Sequence, residues 1–409
     1  MRIQGAGRKV GPFVLLMSMA VYTINCERTR TQSTEGIPAA APSGRKSGSL
    51  RLSNNFAFSV DALRFYSDEP GNWIFSPHGP LELGAAVSSG ARGKTQEELR
   101  AAFHLRGDIP SRTSIAADSV DCEIATSMWI SPEANIFPNY KKSVQEQFGA
   151  ELGKGYSTQL INEWVAKRTR GHITRLIEQD LDPLSTMILA NAVFFRGIWA
   201  VPFDEKLTQP LPFHVDDQTT VDVPTMIRSG KVRYQESETS QVILLDYEGG
   251  DFVYVCILPR EGIQPSGLLE NWSDGTLAGL LESGKPTEVE VYLPKFKARW
   301  KRSLKPFLRE SGVSLAFDRE RADFSGIANQ DSLPLHIHEF LQECTFDLDE
   351  KGTVATSATY AELRTLGYAH ATPDPIPVFR ADHPFLFMIV APKARCVLFA
   401  GVVANPSAT

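Results

Sequence analysis

The sequence predicts an α+β protein in which several β-sheets and helices form one large domain. Helical periodicity is concentrated in the first half of the chain, and apolar strand patterns dominate the second half. The composition of the 409 residues, 42% hydrophobic and 22% charged, is that of a globular protein with a large core. No internal repeat and no break in composition follows residue 50, which favours a single domain.

The N-terminal segment differs from the rest of the chain. Three basic residues precede VGPFVLLMSMAVYTINC, which is too short to span a bilayer but suits the core of a signal peptide. We therefore expect residues 1–26 to be a signal peptide of a secreted, extracellular protein with no stable membrane span. Cys26 offers an alternative, the acylated cysteine of a bacterial lipoprotein. Residues 27–50, rich in Ser, Thr, Pro and Gly, are expected to be a disordered linker before a folded domain at 51–409.

Helices are predicted where apolar residues recur at three- and four-residue spacing. Phe56, Val60 and Leu63 share one face of a first helix over SNNFAFSVDALRFYS. Thr95, followed three residues later by Glu98, has the spacing of a capping box and predicts that a helix begins there. Two further helices are predicted over LINEWVAKRTRGHITRLIEQ and SLKPFLRESG.

Strands are predicted in the remaining apolar segments. MILANAVFF is apolar on both faces, as in a strand covered on both sides, with Asn191 as its polar exception. TEVEVYLPKF alternates between apolar and polar residues. Further buried strands are predicted over FVYVCILP, PFLFMIV and CVLFAGVV.

Charge and motif spacing argue against several functional classes. A net charge of −6 argues against a nucleic-acid partner. The five cysteines lack zinc-site or disulfide-framework spacing, and Cys256, Cys344 and Cys396 lie in apolar runs typical of buried free thiols. His336 and His338 have no third metal ligand placed beside them, and GxSxG and HExxH motifs are absent. We expect no metal, no cofactor and no enzymatic activity; a secreted hydrolase is a disfavoured alternative.

Several motifs, in order along the chain, resemble those of the serpins, a family of serine protease inhibitors. They are NWIFSPHGPLELGAAVSSGARGKTQEEL, ILANAVFFRGIWAVPF, VPTMIRSGKVRY, LDYEGGDFVYVCILP, YLPKF, FDLDEKGTVATSAT, FRADHPFLFMIV and VLFAGVVANP. The resemblance extends from about Leu52 to Pro406. It implies a serpin fold with three β-sheets, about eight or nine helices and an exposed reactive-centre loop. It also implies a monomer whose partner is a target serine protease.

The resemblance assigns the inhibitory loop to the residues after Glu350. A protease that attacks such a loop becomes an acyl-enzyme, and the cut loop inserts into the main sheet as a new strand. Insertion requires a flexible hinge, small side chains and no proline. The matching hinge residues are Glu350, Gly352, Thr353, Ala355, Thr356, Ser357 and Ala358, and the first later proline is Pro373.

The cleaved bond is expected about fourteen residues after Gly352, at Leu366–Gly367. Leu366 would suit chymotrypsin-like or elastase-like serine proteases. A shift of two residues would instead present Arg364 to a trypsin-like protease or Tyr368 to a chymotrypsin-like one. A non-inhibitory serpin, acting as a carrier or chaperone, is the alternative, although the hinge lacks the bulky, charged or proline residues that would favour it.

Other positions carry supporting roles from the resemblance. The residues that match the gating of the main sheet are Ser76, Asn191, Trp199 and Lys295, the last expected to pair with Glu350. Gly79 and Gln342 depart from the family, which often has Ser and His there. The short segment after Phe103 argues against activation by heparin. Asn271 begins a glycosylation sequon, which has meaning only in a eukaryotic host.

Overall fold

The computed structural model describes residues 47–106, 120–153, 157–329, 333–353 and 375–408. Within these ranges there are eight α-helices: α1 (Ser47–Tyr66), α2 (His78–Gly90), α3 (Gly93–Ala102), α4 (Pro138–Phe148), α5 (Thr158–Arg168), α6 (Pro265–Leu269), α7 (Asp274–Ser283) and α8 (Lys305–Glu310). The first helix begins at Ser47, slightly before the predicted domain start at residue 51. None of the helices in these ranges is both long and apolar enough to cross a membrane.

The same ranges contain fifteen β-strands: β1 (Trp73–Phe75), β2 (Val120–Ile130), β3 (Glu151–Leu152), β4 (Met187–Ile198), β5 (Gln209–His214), β6 (Thr220–Glu236), β7 (Ser240–Asp246), β8 (Val253–Pro259), β9 (Lys285–Pro294), β10 (Phe296–Ser303), β11 (Ile337–Asp349), β12 (Gly352–Thr353), β13 (Val378–Arg380), β14 (Phe385–Ala391) and β15 (Cys396–Val403). The main sheet has six strands in the order β10-β11-β12-β4-β2-β3. The other sheet follows the order β1-β15-β14-β8-β7-β6-β9-β13, with β5 paired to β6.

The described residues thus form two hydrogen-bonded sheets where three were expected. The reason is the long strand β6, which pairs with β5 and β9 over most of its length. Its last residues, Arg233–Glu236, pair with β7. One continuous strand therefore joins two groups of strands that the resemblance implied would be separate.

Two helix predictions are corrected by the structure. The capping box at Thr95 and Glu98 is wrong, because α3 already begins at Gly93 and both side chains accept hydrogen bonds from distant backbone. Thr95 accepts from the Asp323 amide, and Glu98 accepts from the amides of Ser314 and Leu315. The helix predicted over residues 160–179 ends at Arg168, and Ile173, Leu176 and Ile177 are buried from an irregular segment beyond it.

The main sheet is covered on both faces, which explains the apolar pattern of β4. Leu189, Val193 and Phe195 of β4 point into the large core that contains residues of α1, α2 and the second sheet. Ile188, Ala190 and Ala192 point to the opposite face, where they pack with Ile161, Val165 and the segment after α5. The prediction of a strand buried on both faces is confirmed.

Candidate functional site at the seam of the main sheet

At the centre of the main sheet the parallel strands β4 and β11 face each other along their whole length, and this line between them is here termed the seam. Residues Met187–Phe194 of β4 pair directly with Ile337–Thr345 of β11. Beyond Phe194 and Thr345 the two strands separate, and β12 lies between them. Gly352 pairs with Ile198 and Asp349, and Thr353 pairs with Gly197 and Leu348, in both cases antiparallel. Two residues of the predicted hinge, Gly352 and Thr353, therefore already lie between β4 and β11.

Gly352 can enter the seam because it has no side chain. Its φ of +144° lies in a region that L-residues rarely adopt. A Cβ atom at this position would lie only 2.1 Å from the carbonyl oxygen of Gly197. The tight turn before it is held by Asp349, whose carboxylate accepts hydrogen bonds from the amides of Lys351 (2.9 Å) and Gly352 (3.2 Å).

Thr353 is fully buried, and its hydroxyl lies 2.8 Å from the hydroxyl of Tyr247. The Tyr247 ring stacks on Trp199 with centroids 4.6 Å apart and meets Phe195 edge-on at 5.2 Å. The hinge is thus anchored by a hydrogen bond inside an aromatic cluster. The sequence analysis missed Tyr247; it lies within the motif LDYEGGDFVYVCILP, but only the fold brings it to Thr353.

An ion pair between Lys295 and Glu350 lies at the turn that connects β11 to β12. Lys295 Nζ is 2.8 Å from Glu350 Oε2, and the Thr208 hydroxyl donates to Glu350 Oε1 at 2.7 Å. Burial tends to raise the pKa of Glu350, but the hydrogen bonds from Lys295 and Thr208 outweigh it, so the pKa is lowered. Trp199 stabilises the same turn, because its indole N–H donates a hydrogen bond to the Asp349 carbonyl at 3.0 Å. Three of the predicted residues, Lys295, Glu350 and Trp199, are therefore brought together here.

The gate, defined as Ser76, Asn191 and Gln342, spans the closed part of the seam. Gln342 Nε2 donates to the Ser76 carbonyl (2.7 Å) and to Asn191 Oδ1 (2.8 Å), and Gln342 Oε1 accepts from the Ser76 amide (3.2 Å). Asn191 also donates to the Ala125 carbonyl of β2. A Cβ atom on Gly79 would lie 2.0 Å from Asn191 Nδ2. Glycine, where the family often has serine, therefore leaves room for the Asn191 amide.

A cavity of about 370 Å³ lies where β4 and β11 separate. It is lined by His172, Phe194, Lys297, Ala298, Arg299, Thr345, Phe346 and Asp347. The His172 ring stacks on Phe194 with centroids 3.6 Å apart. Phe194 and Thr345 are the last residues at which β4 and β11 pair directly, so the cavity adjoins the point where the two strands separate.

The basic run Lys295–Lys305 is largely neutralised and gives no support to a polyanion site. Its ion pairs are Lys297–Asp347, Arg299–Glu343, Lys301–Glu178 and Arg302–Glu69. In the described ranges no three or more His, Cys, Asp or Glu side chains are grouped to hold a metal ion. His336 is buried, and its Nδ1 lies 3.0 Å from the Thr186 hydroxyl.

Several predicted positions lie outside the described residues. They are Ala355, Thr356, Ser357, Ala358, Leu366, Gly367 and Cys26. The segment on which the heparin argument depends, residues 107–119, also lies outside them. Asn271 is described and is exposed, two residues before Ser273, which caps α7.

Comparison with known proteins decides the family. Residues 52–406 match the family model described as serpin (serine protease inhibitor). The protein belongs to the serpin family. Human Serpin B8 is 29% identical to this serpin over 375 residues, covering 86% of this chain and 97% of its own. Membership places the chain among protease inhibitors and not among enzymes.

Solved structures support the same fold. The thermophilic serpin tengpin, in its native state, has a TM-score of 0.80 at 23% identity, covering 90% of this chain and 97% of its own. Human thyroxine-binding globulin in complex with thyroxine has a TM-score of 0.74 at 25% identity, covering 88% and 98%. The fold of this serpin is therefore shared with a protein named for binding thyroxine, so the fold alone does not select inhibition.

Proposed function

We propose that this serpin inhibits serine proteases of chymotrypsin-like or elastase-like specificity by suicide cleavage at Leu366–Gly367. In this proposal the protease forms an acyl-enzyme with Leu366, and the severed loop then inserts into the seam and carries the protease with it. The observation that carries the proposal is the position of Gly352 and Thr353, which already pair with both β4 and β11.

The register of the seam favours continued insertion. Extending the antiparallel pairing of Thr353 by two residues would place Ala355 between Phe195 and Phe346. The same register, extended further, would place Thr359 between Asn191 and Gln342. These last two residues already face each other in the closed seam. The inserting strand therefore requires no change of register in either flanking strand.

Hydrogen bonding supplies a driving force for insertion. Opening the seam breaks one parallel ladder between β4 and β11. Insertion replaces it with two antiparallel ladders, which are slightly more stable per residue than a parallel one. At about 1 kcal/mol net per hydrogen bond, the additional ladder favours the inserted state by roughly 10 kcal/mol. The uncut form is then metastable and depends on a kinetic barrier.

The decisive experiment mixes the full chain with chymotrypsin and examines the products by SDS gel electrophoresis. We expect an SDS-resistant band near the sum of the two masses. Because side chains alternate between the faces of a strand, Ala355 would enter the core side with Thr353. Val354 would face the opposite side, level with Asp347, where the cavity leaves room for a larger side chain. Ala355→Arg should be cleaved without forming the band, whereas the matched control Val354→Arg should still form it.

The outcomes separate inhibition from its alternative. Cleavage of the wild-type protein without a stable band would overturn the inhibitory proposal and favour a carrier or chaperone. Equal loss of the band in both variants would contradict the proposed strand register. N-terminal sequencing of the released C-terminal fragment should begin at Gly367; a start at Thr365 or Ala369 would move the cleaved bond to Arg364 or Tyr368.

We also propose that the protein is exported, on the basis of its N-terminal sequence. The predicted signal peptide at residues 1–26 should be absent from the mature chain. Mass spectrometry of the N-terminal peptide from secreted protein tests this. A lipid on Cys26 would support the lipoprotein alternative, and recovery of uncleaved Met1 would contradict both forms of export.

A further inference from the structure

The structure assigns a second chemically competent cluster to a part of the core outside the seam. It is formed by Cys396 at the start of β15, His78 and Glu82 on the first turns of α2, and Asn55 on α1. His78 Nδ1 lies 3.5 Å from Cys396 Sγ, and His78 Nε2 lies 3.4 Å from Glu82 Oε1. The thiol therefore contacts the imidazole, and the imidazole contacts the carboxylate, as in sites that activate a nucleophilic cysteine.

The orientation of Asn55 makes it a hydrogen-bond donor to the sulfur. Asn55 Oδ1 accepts a hydrogen bond from the Val397 amide at 2.7 Å, which fixes the direction of the side-chain amide. The Nδ2 group therefore faces Cys396 Sγ, at 3.3 Å. With His78 as a second donor, the sulfur has two N–H partners, whose hydrogen bonds would strengthen if the sulfur carried a negative charge.

The imidazole is held between two acidic groups. Burial lowers the pKa of His78, but the neighbouring Cys396 and Glu82 together raise it to about 10. Glu82 Oε1 is buried and has no hydrogen bond within the described part of the chain, so protonated His78 is the cation available to it. The Cys122 thiol of β2 is also within electrostatic range of Cys396, and burial raises its own pKa.

The other described cysteines provide an internal contrast. Burial raises the pKa of Cys122, Cys256 and Cys344, which keeps them as unreactive thiols. Cys396 is 4% exposed and directly follows the solvent-exposed turn at residues 392–395. Its sulfur also lies 3.4 Å from the Val397 carbonyl, to which a neutral thiol would donate, so an unreactive buried thiol is the competing interpretation.

We propose that Cys396 is a nucleophilic cysteine paired with His78 and a modification site for small peroxides. The sulfur attacks one peroxide oxygen, forming an S–O bond as the O–O bond breaks. The thiolate is oxidised to a sulfenic acid, and the departing hydroxide takes a proton from His78 and leaves as water. The near-complete burial of Cys396 restricts the reaction to oxidants of about the size of hydrogen peroxide.

The test treats the native full chain with hydrogen peroxide between pH 5.5 and 9 and traps sulfenic acid with dimedone. Peptide mass spectrometry then gives the rate at each cysteine. We expect Cys396 to react at least tenfold faster at pH 7 than Cys256 or Cys344. In His78→Asn the Cys396 rate at pH 7 should fall about tenfold or more, because the sulfur loses the imidazole beside it and the departing hydroxide loses its proton donor.

Circular dichroism would reveal misfolding of His78→Asn. A milder substitution, Glu82→Gln, tests the same cluster if that variant does not fold. Glu82→Gln removes the charge that supports the imidazolium, so it should slow the reaction of Cys396 at pH 7. Reaction of native Cys396 no faster than Cys256 and Cys344 would overturn the proposal. So would an unchanged rate at Cys396 in the folded variants.

Discussion

At the scale of single residues, Gln342 satisfies three hydrogen-bonding groups inside the closed seam. Its fully buried amide bonds both backbone groups of Ser76 and the side chain of Asn191. A glutamine can make these contacts because its amide combines an acceptor with two donors, whereas a neutral imidazole has one donor and one acceptor. The departure from histidine at this position therefore preserves a gate with a different hydrogen-bond pattern.

Gln342→Ala should be strongly destabilising, because it leaves Ser76 and Asn191 with unpaired buried polar groups. Each such group costs about 1–3 kcal/mol, so we expect a loss of about 3 kcal/mol or more in the free energy of unfolding. Urea denaturation measures the loss. The exposed residue Gln218 provides the control, since Gln218→Ala should change stability by less than about 0.5 kcal/mol. Equal effects of the two substitutions would contradict the role of the gate.

The hydrogen bond between Tyr247 and Thr353 can be measured by a double-mutant cycle. Tyr247→Phe and Thr353→Val each leave one buried hydroxyl without its partner, and each should cost about 1–2 kcal/mol. The double variant leaves neither hydroxyl, so its loss should be smaller than the sum of the single losses. Thermal unfolding of the four proteins gives the coupling; additive losses would show that the contact does not hold the hinge.

At the scale of elements, the ion pair Lys295–Glu350 joins two connecting segments. Lys295 lies between β9 and β10, and Glu350 directly follows β11. Glu350 is nearly buried, whereas Lys295 is 37% exposed. Removing the lysine leaves a poorly solvated carboxylate with Thr208 as its remaining side-chain donor among the described contacts. The effect should be smaller than for a fully buried pair because water reaches the lysine.

Lys295→Ala should lower stability by about 1–2 kcal/mol at pH 7. Since the pKa of Glu350 is lowered in the folded protein, its contribution is present above the ordinary glutamate pKa and is lost as pH falls through the folded value. The difference between wild type and variant should therefore shrink between about pH 5 and pH 3. The exposed pair Lys393–Asp251 is the control, because Lys393→Ala should have little effect at any pH. A pH-independent loss in Lys295→Ala would contradict the electrostatic explanation.

The sequence predicted the elements better than their long-range partners. The buried strand β4 and the small hinge residues are visible in local patterns, because burial and backbone freedom leave marks on each segment. The capping box failed because Thr95 and Glu98 bond to residues more than two hundred positions away. Tyr247 and the pairing of His78 with Cys396 also depend on such contacts, and no local spacing encodes them.

At the scale of the whole molecule, the main sheet has two different regions at its centre. β4 and β11 pair directly as far as Phe194 and Thr345, and beyond this point Gly352 and Thr353 lie between them. Closure depends on a parallel junction and on the gate, both of which must open before a longer strand can enter. The hinge residues Gly352 and Thr353 already fix the direction and register of that strand. In the proposed mechanism, cutting the loop would allow the residues after Thr353 to extend this pairing.

Cutting the loop near Leu366 should therefore raise the thermal stability of the whole protein. With roughly 10 kcal/mol gained from the added ladder, the unfolding midpoint should rise by about 10 °C or more. Scanning calorimetry before and after limited proteolysis measures this rise. Ala355→Arg, nicked at the same bond, should show little increase, because a charged side chain facing Phe195 and Phe346 stops the strand two residues after Thr353. No rise in the wild type, or an equal rise in the variant, would mean that the uncut fold does not store free energy in its seam.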